Sequence, residues 1–247
     1  MNEAYKRAPI TEAVVELRFA QPVEIELVEK IKDRLVDTYP IPAGIIQNFQ
    51  VMATTGGGAP QQARIEPIGQ RLTSADATEI VVVSRHNFST SRLAPYSGWD
   101  QFIATVRRNW EVWRKVAGNR EIGRIGVRYI NRIDVPNPHE VAIPIGDYLE
   151  FRPLFPSFDG NEGVETFAIN GVIAIANSPF RLILNAGSAP SPLVRTTSFL
   201  LDIDISQEGN IPRNDEAIWS LVDQMRVHKN RVFEASITDN SRKLFSS

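Results

Sequence analysis

Apolar side chains recur at every second position in some stretches of this chain and at every third or fourth in others, which separates strands from helices. The longest alternating run is 122–135, IGRIGVRYINRIDV, where Ile125, Val127, Tyr129, Ile133 and Val135 point one way and Arg124, Arg128, Arg132 and Asp134 the other. One face of this strand is apolar, and the other carries guanidinium groups about 13 Å apart. Asn131 interrupts the apolar face, so it either bonds backbone at a bulge or marks a pocket.

The same patterning runs through the chain. Residues 13–19 form a half-buried strand, with Ala13, Val15, Leu17 and Phe19 opposite Glu12, Val14, Glu16 and Arg18. Residues 22–38 form an amphipathic helix with Pro22 in its first turn, ended by Tyr39-Pro40-Ile41-Pro42. Strands follow at 45–53, 64–73 and 79–89; Pro67 suggests an edge or a bulge, and the last strand becomes polar toward its end. Ser97 and Asp100 are spaced as a capping box for a helix whose apolar stripe is Trp99, Phe102, Ile103, Val106, Trp110 and Trp113, and Gly118-Asn119 stops it. After the long strand come a proline-rich stretch at 136–156, with a short helix or turn at 145–151, and strands at 165–176, 180–186 and 196–206. Asn214 caps a helix that runs to about residue 234 with Ile218, Leu221, Val222, Met225 and Val232 inward, and a last helix starts near Thr238.

This order predicts an α+β protein of two similar halves, residues 1–120 and 121–247, each strand, helix, three strands, helix, with antiparallel sheets packed on helices. The halves either stand apart or share one continuous sheet. A shared sheet would set the long strand beside the first, with Glu12 and Glu16 facing the arginines.

The chain has 247 residues, 43% hydrophobic and 23% charged, long enough for a substantial core. Its net charge of -2 supplies no global attraction to nucleic acid or anionic lipid. With no cysteine, disulfides, thiolate catalysis and cysteine-based zinc sites are excluded, and a cytoplasmic location is expected. No signal core or long apolar run predicts export or a membrane span.

Candidate chemistry is sparse. The glycine-rich 54–60 lacks the lysine and following helix of a phosphate loop and reads as a hairpin turn. His86, His139 and His228 have no second histidine or carboxylate at ligand spacing, and no nucleophile elbow is present, so no catalytic residue, metal site or cofactor is assigned. Among the histidines His86 stands out, in a polar aromatic segment with Arg92 and Tyr96. Asp202 and Asp204 share a strand face about 7 Å apart, a spacing that suits a divalent cation, acid and base work, or ion pairs with a neighbouring strand. Arg124, Arg128 and Arg132 have matching alternatives: neutralised within the fold by Glu12, Glu16, Asp202 or Asp204, or turned to phosphates or an acidic partner.

The stretches APITEAVVELRF, PYSGWDQF, RIGVRYINRIDV, LLDIDI and HKNRVFEASITDNSRKLF together resemble the ordered landmarks of a sporadically distributed, uncharacterised bacterial protein family, across essentially the whole length. The resemblance implies a stand-alone protein with the patchy distribution of genes on mobile elements, and brings no activity or catalytic residue. The expected function is that of a non-enzymatic binding protein whose partner is another protein, met through the sheet face or loops, within a defence or mobile-element system. The alternative is a small-ligand or nucleotide-binding protein, or a hydrolase, with Arg124, Arg128, Asn131, Arg132, Asp202 and Asp204 in a cleft between the halves. Nucleic acid ranks below both, since the basic residues form no run.

Overall fold

The computed structural model describes residues 5–50, 64–151 and 164–246, so the glycine-rich 54–60 lies outside the described residues. In chain order the elements are β1 (Ile10–Phe19), α1 (Ile25–Leu35), β2 (Ile41–Gln50), β3 (Arg64–Thr73), β4 (Glu79–Ser84), β5 (Asn87–Leu93), α2 (Trp99–Ala117) and β6 (Ile122–Pro136). A 3-10 turn (Ile145–Asp147) follows, then β7 (Ala168–Ala174), β8 (Arg181–Ala189), β9 (Thr196–Glu208), α3 (Asp215–Ser236) and α4 (Asp239–Ser246). The nine strands among the described residues lie in one sheet of order β2-β3-β4-β5-β1-β6-β9-β8-β7, antiparallel throughout.

The two strands richest in alternation occupy the centre. From β1 the chain crosses through α1 to the edge at β2 and winds back strand by strand to β5; from β6 it crosses to the other edge at β7 and winds back to β9. The inward residues of the centre, Ala13, Val15, Leu17, Ile125, Val127, Tyr129, Ile133, Leu201, Ile203 and Ile205, are all buried. Against them pack Val28 and Ile31 of α1, the tryptophans of α2, and Ile218, Val222 and Met225 of α3. Each fully buried large apolar side chain contributes roughly 1.5–3 kcal/mol.

Several boundaries differ from the sequence reading, each with a local cause. Residues 79–89 are not one strand, because the Ser84 hydroxyl accepts hydrogen bonds from the backbone N–H groups of His86 and Asn87 and turns the chain there. The polar end of that stretch is therefore a hairpin, and the first half has four strands after α1 where three were expected. Helix α1 begins at Ile25, not Pro22, since the N–H of buried Val23 is taken by the Arg85 carbonyl at 2.8 Å. The expected capping box at α2 is absent: Gly98, at φ 98°, is the cap and no side chain bonds the first turn. Asn214 does cap α3, its Oδ1 accepting from the Ala217 N–H at 2.8 Å.

Helix α2 holds its stripe as predicted and one residue that was not. Trp110 and Trp113 stack at 4.7 Å, bracketed by Phe88 and Phe19. One position before Trp110, buried Asn109 donates to the Tyr39 hydroxyl at 2.6 Å and to Thr90 at 3.3 Å, which ties the helix to the sheet and to the end of α1. Among the described residues no helix is long and apolar enough to cross a membrane.

Candidate functional site: the helix-free face of the sheet

Because side chains alternate, the positions between the core residues of β1, β6 and β9 emerge on the face where no described helix packs. The register sets Arg124 beside Arg18 and Glu208, Arg128 beside Val14 and Asp204, and Ile130 beside Glu12 and Asp202. Arginines and carboxylates thus meet across strands, and side-chain hydrogen bonds join them into relays.

One relay crosses from β9 to β4. Arg124 Nη2 donates to Asp204 Oδ2 at 2.6 Å, and Nη1 donates to Glu16 Oε2 at 2.8 Å. Glu16 also accepts from Arg18 Nε and from Asn87 Nδ2, both at 2.8 Å, and Asn87 accepts from the Ser84 hydroxyl. Arg124 is buried although no described helix covers it, because its guanidinium lies close over Gly126. A Cβ at position 126 would stand 2.9 Å from Arg124 Nη1 and 3.1 Å from Asp204 Oδ1, so the glycine makes room for this pair.

A second relay crosses from β6 to the edge. Arg128 donates to both oxygens of Asp202, Nε to Oδ1 and Nη2 to Oδ2, each at 2.8 Å. Asp202 also accepts from Asn185 Nδ2 at 3.0 Å, and Asn185 accepts from Asn170 Nδ2 at 2.6 Å. The partners are unequally buried: the Arg128 side chain is 48% exposed and that of Asp202 only 6%. The hydrogen bonds that Arg128 donates to Asp202 raise its pKa above the ordinary value. Arg132 forks instead onto Asp134, its neighbour on the same strand, and Asp134 accepts from the Ser198 hydroxyl at 2.6 Å. Arg128→Ala is expected to lower stability by about 1–2 kcal/mol, between the values for exposed and buried pairs, since Asp202 keeps Asn185 as a donor. Urea denaturation of the variant measures this.

Asp204 differs from Asp202. Its Oδ1 is buried without a hydrogen-bond partner, and burial pushes its carboxyl up despite Arg124 and Arg128. A raised carboxyl means that the charged form costs the fold stability above the folded pKa, and that the cost fades as the pH falls through that value. The wild-type chain is expected to lose less stability than Asp204→Asn as the pH falls from 7 toward the carboxylate range. Denaturation midpoints of both chains across that interval check the sign.

The sheet separates the remaining sequence candidates from this face. Asn131 is buried on the helix side, where its Nδ2 donates to the Leu201 carbonyl at 3.0 Å beside a register shift between β1 and β6. Arg92 also lies on the helix side and pairs with Glu79 at 3.0 Å. Tyr96 reaches under α2 to share a 2.7 Å hydrogen bond with Tyr129, and burial pushes it up to about 12. His86 is exposed in the turn between β4 and β5. The expected cleft joining Asn131 to the arginines and aspartates is therefore not formed: five of those six residues share one face and Asn131 lies behind it.

Sequence reasoning missed Asn87, Asn170 and Asn185, which extend the relays outward; the one available signal was an amide placed on the same parity as the charged residues. Asp202 and Asp204 each face an arginine, and among the described residues no group of three or more His, Cys, Asp or Glu is arranged to hold a metal ion. What this face offers is fixed donors and acceptors of both signs. Comparison with known proteins gives no matching family model and no matching curated protein.

Proposed function

We propose that the chain is a non-enzymatic binding protein that meets a protein partner with the helix-free face of its sheet. One observation carries this reading: Arg128 is held by both oxygens of buried Asp202 while half its side chain remains exposed, and its Nη1 has no partner among the described residues. Such a guanidinium is oriented before any partner arrives, so little rotamer freedom is lost on binding. Alternating charge on the surrounding face suits a polypeptide with donors and acceptors of its own better than a polyanion. The two equivalent chain paths from centre to edge and back support an internal repeat of one ancestral half, and the family resemblance supports a setting among bacterial mobile-element or defence genes.

The test compares proteins captured from the native host by the wild-type chain and by Arg128→Lys, which keeps a cation beside Asp202 but removes the planar fork. The reading expects a partner retained by the wild-type chain and lost by a variant with an unchanged melt. An identical captured set overturns it. Arg128 also favours a second reading, since a half-exposed guanidinium with only Nε and Nη2 engaged keeps a donor for a small anionic ligand. A melting-temperature rise with a nucleotide or inorganic phosphate, lost in Arg128→Lys, would put that reading first.

A further inference from the structure

Strand β7 ends the sheet order, and among the described residues only β8 pairs with it. Its sequence, AINGVIA, has no charge and no proline, and Val172 and Ile173 are 59% and 48% exposed on its two faces. Edge strands are ordinarily blunted by charge, bulges or brevity, because a row of open N–H and carbonyl groups is a template for another strand. The opposite edge has such a defence: β2 slips out of register with β3 between Ile41 and Gly44 and again between Ile46 and Gln47. Strand β7 pairs along its whole length without a shift, so its outer side is regular as well as uncharged.

Two hydrogen bonds decide which groups that side offers. Ser188 donates its N–H to the Phe167 carbonyl and Ile175 donates to the Phe180 carbonyl, each at 3.0 Å, so the odd-numbered residues of β7 turn their backbone groups to β8. The N–H and C=O groups of Ala168, Asn170, Val172 and Ala174 therefore point away from the sheet. About Gly171 the strand reads almost alike in both directions: Ala168 mirrors Ala174, Ile169 mirrors Ile173, and Asn170 mirrors Val172. We propose that β7 is a dimerisation edge, paired antiparallel with β7 of a second copy of this chain about a two-fold axis at Gly171. In that register Ala168 exchanges backbone hydrogen bonds with the second copy's Ala174, and Asn170 with its Val172, so every outward group of the strand finds a partner. Asn170 bonds Asn185 on the helix-free face, which puts Ile169 and Ile173 on the helix side. Across the seam these isoleucines oppose each other at the closely spaced positions, where side chains touch. Sliding one copy by two residues opposes an isoleucine to Gly171 and gives up that match. Strands β8 and β9 separate the seam from Arg128, so the inference stands or falls independently of the proposed function.

The chain has no cysteine, so one introduced thiol per copy tests both the pairing and its register. In Gly171→Cys each thiol faces its own counterpart at the axis, in a pair whose Cα atoms lie about 4.5 Å apart, within the reach of a disulfide. A single copy has room for it, since a Cβ at position 171 meets only Ile173 Cδ1, at 4.0 Å. In Ala168→Cys the two thiols lie at opposite ends of the seam. The wild-type chain is expected to sediment at twice the monomer mass at micromolar concentration, and Gly171→Cys to form a covalent dimer on mild oxidation several-fold faster than Ala168→Cys. A wild-type chain that sediments as a monomer throughout the micromolar range overturns the proposal, and so does a dimer in which Gly171→Cys cross-links no faster than Ala168→Cys.

Discussion

Arg124→Ala is expected to lower stability by about 3–5 kcal/mol, as loss of one partner from a buried pair does. Arg124 joins Glu16 of β1 to Asp204 of β9 across the central strand, and its side chain is only 9% exposed. Without it two carboxylates remain on one face with no cation between them. Arg18 still reaches Glu16, but from a side chain 56% exposed, where screening leaves little. Asp204 keeps the charge of Arg128, which spends its hydrogen bonds on Asp202. Denaturation at neutral pH measures the loss; a change below about 1 kcal/mol would show that the pair is solvated.

Trp110→Ala is expected to cost a similar amount, about 3–5 kcal/mol, through another mechanism. Its ring, 1% exposed, is stacked on Trp113 and packed against Phe88, and its Nε1 donates to Asp215 at 3.1 Å at the start of α3. The substitution leaves a cavity between helix and sheet and removes a link between the two long helices. Arg114 keeps its own 2.8 Å bond to Asp215, so that carboxylate is not stranded and the loss reports on packing. A urea midpoint unchanged by the substitution would mean that neighbouring side chains close the gap.

The centre of this fold was legible in the sequence because its signal is local. Two long strands with strict alternation could bury their apolar faces only together, and β1 and β6 are neighbours for that reason. Their charged faces then had to meet, which brought Glu16 beside Arg124. The boundaries were less legible wherever a tertiary bond decided them. Val23 is drawn out of α1 by the Arg85 carbonyl, and Ser84 breaks a strand whose composition alone gives no reason to stop. Parity correctly grouped Arg124, Arg128, Arg132, Asp202 and Asp204, and parity also places Asn131 on the other face, yet a buried amide reads as a site residue until its carbonyl partner on β9 is known. Lys229, buried on α3, escaped notice for the opposite reason. Within a helix its spacing matches the apolar stripe, but a lysine is ordinarily read as exposed.

The proposed function has a partner covering the helix-free face at β1, β6 and β9. Hydroxyl-radical footprinting of the captured complex tests this directly, because it reports side-chain accessibility and not backbone exchange, which the sheet already suppresses. Val14, Ile130 and Leu200 are partly exposed on that face, whereas Val227 of α3 is 48% exposed on the helix side. Val14, Ile130 and Leu200 are expected to lose reactivity in the complex while Val227 does not. Protection of Val227 with Val14, Ile130 and Leu200 unchanged would contradict it.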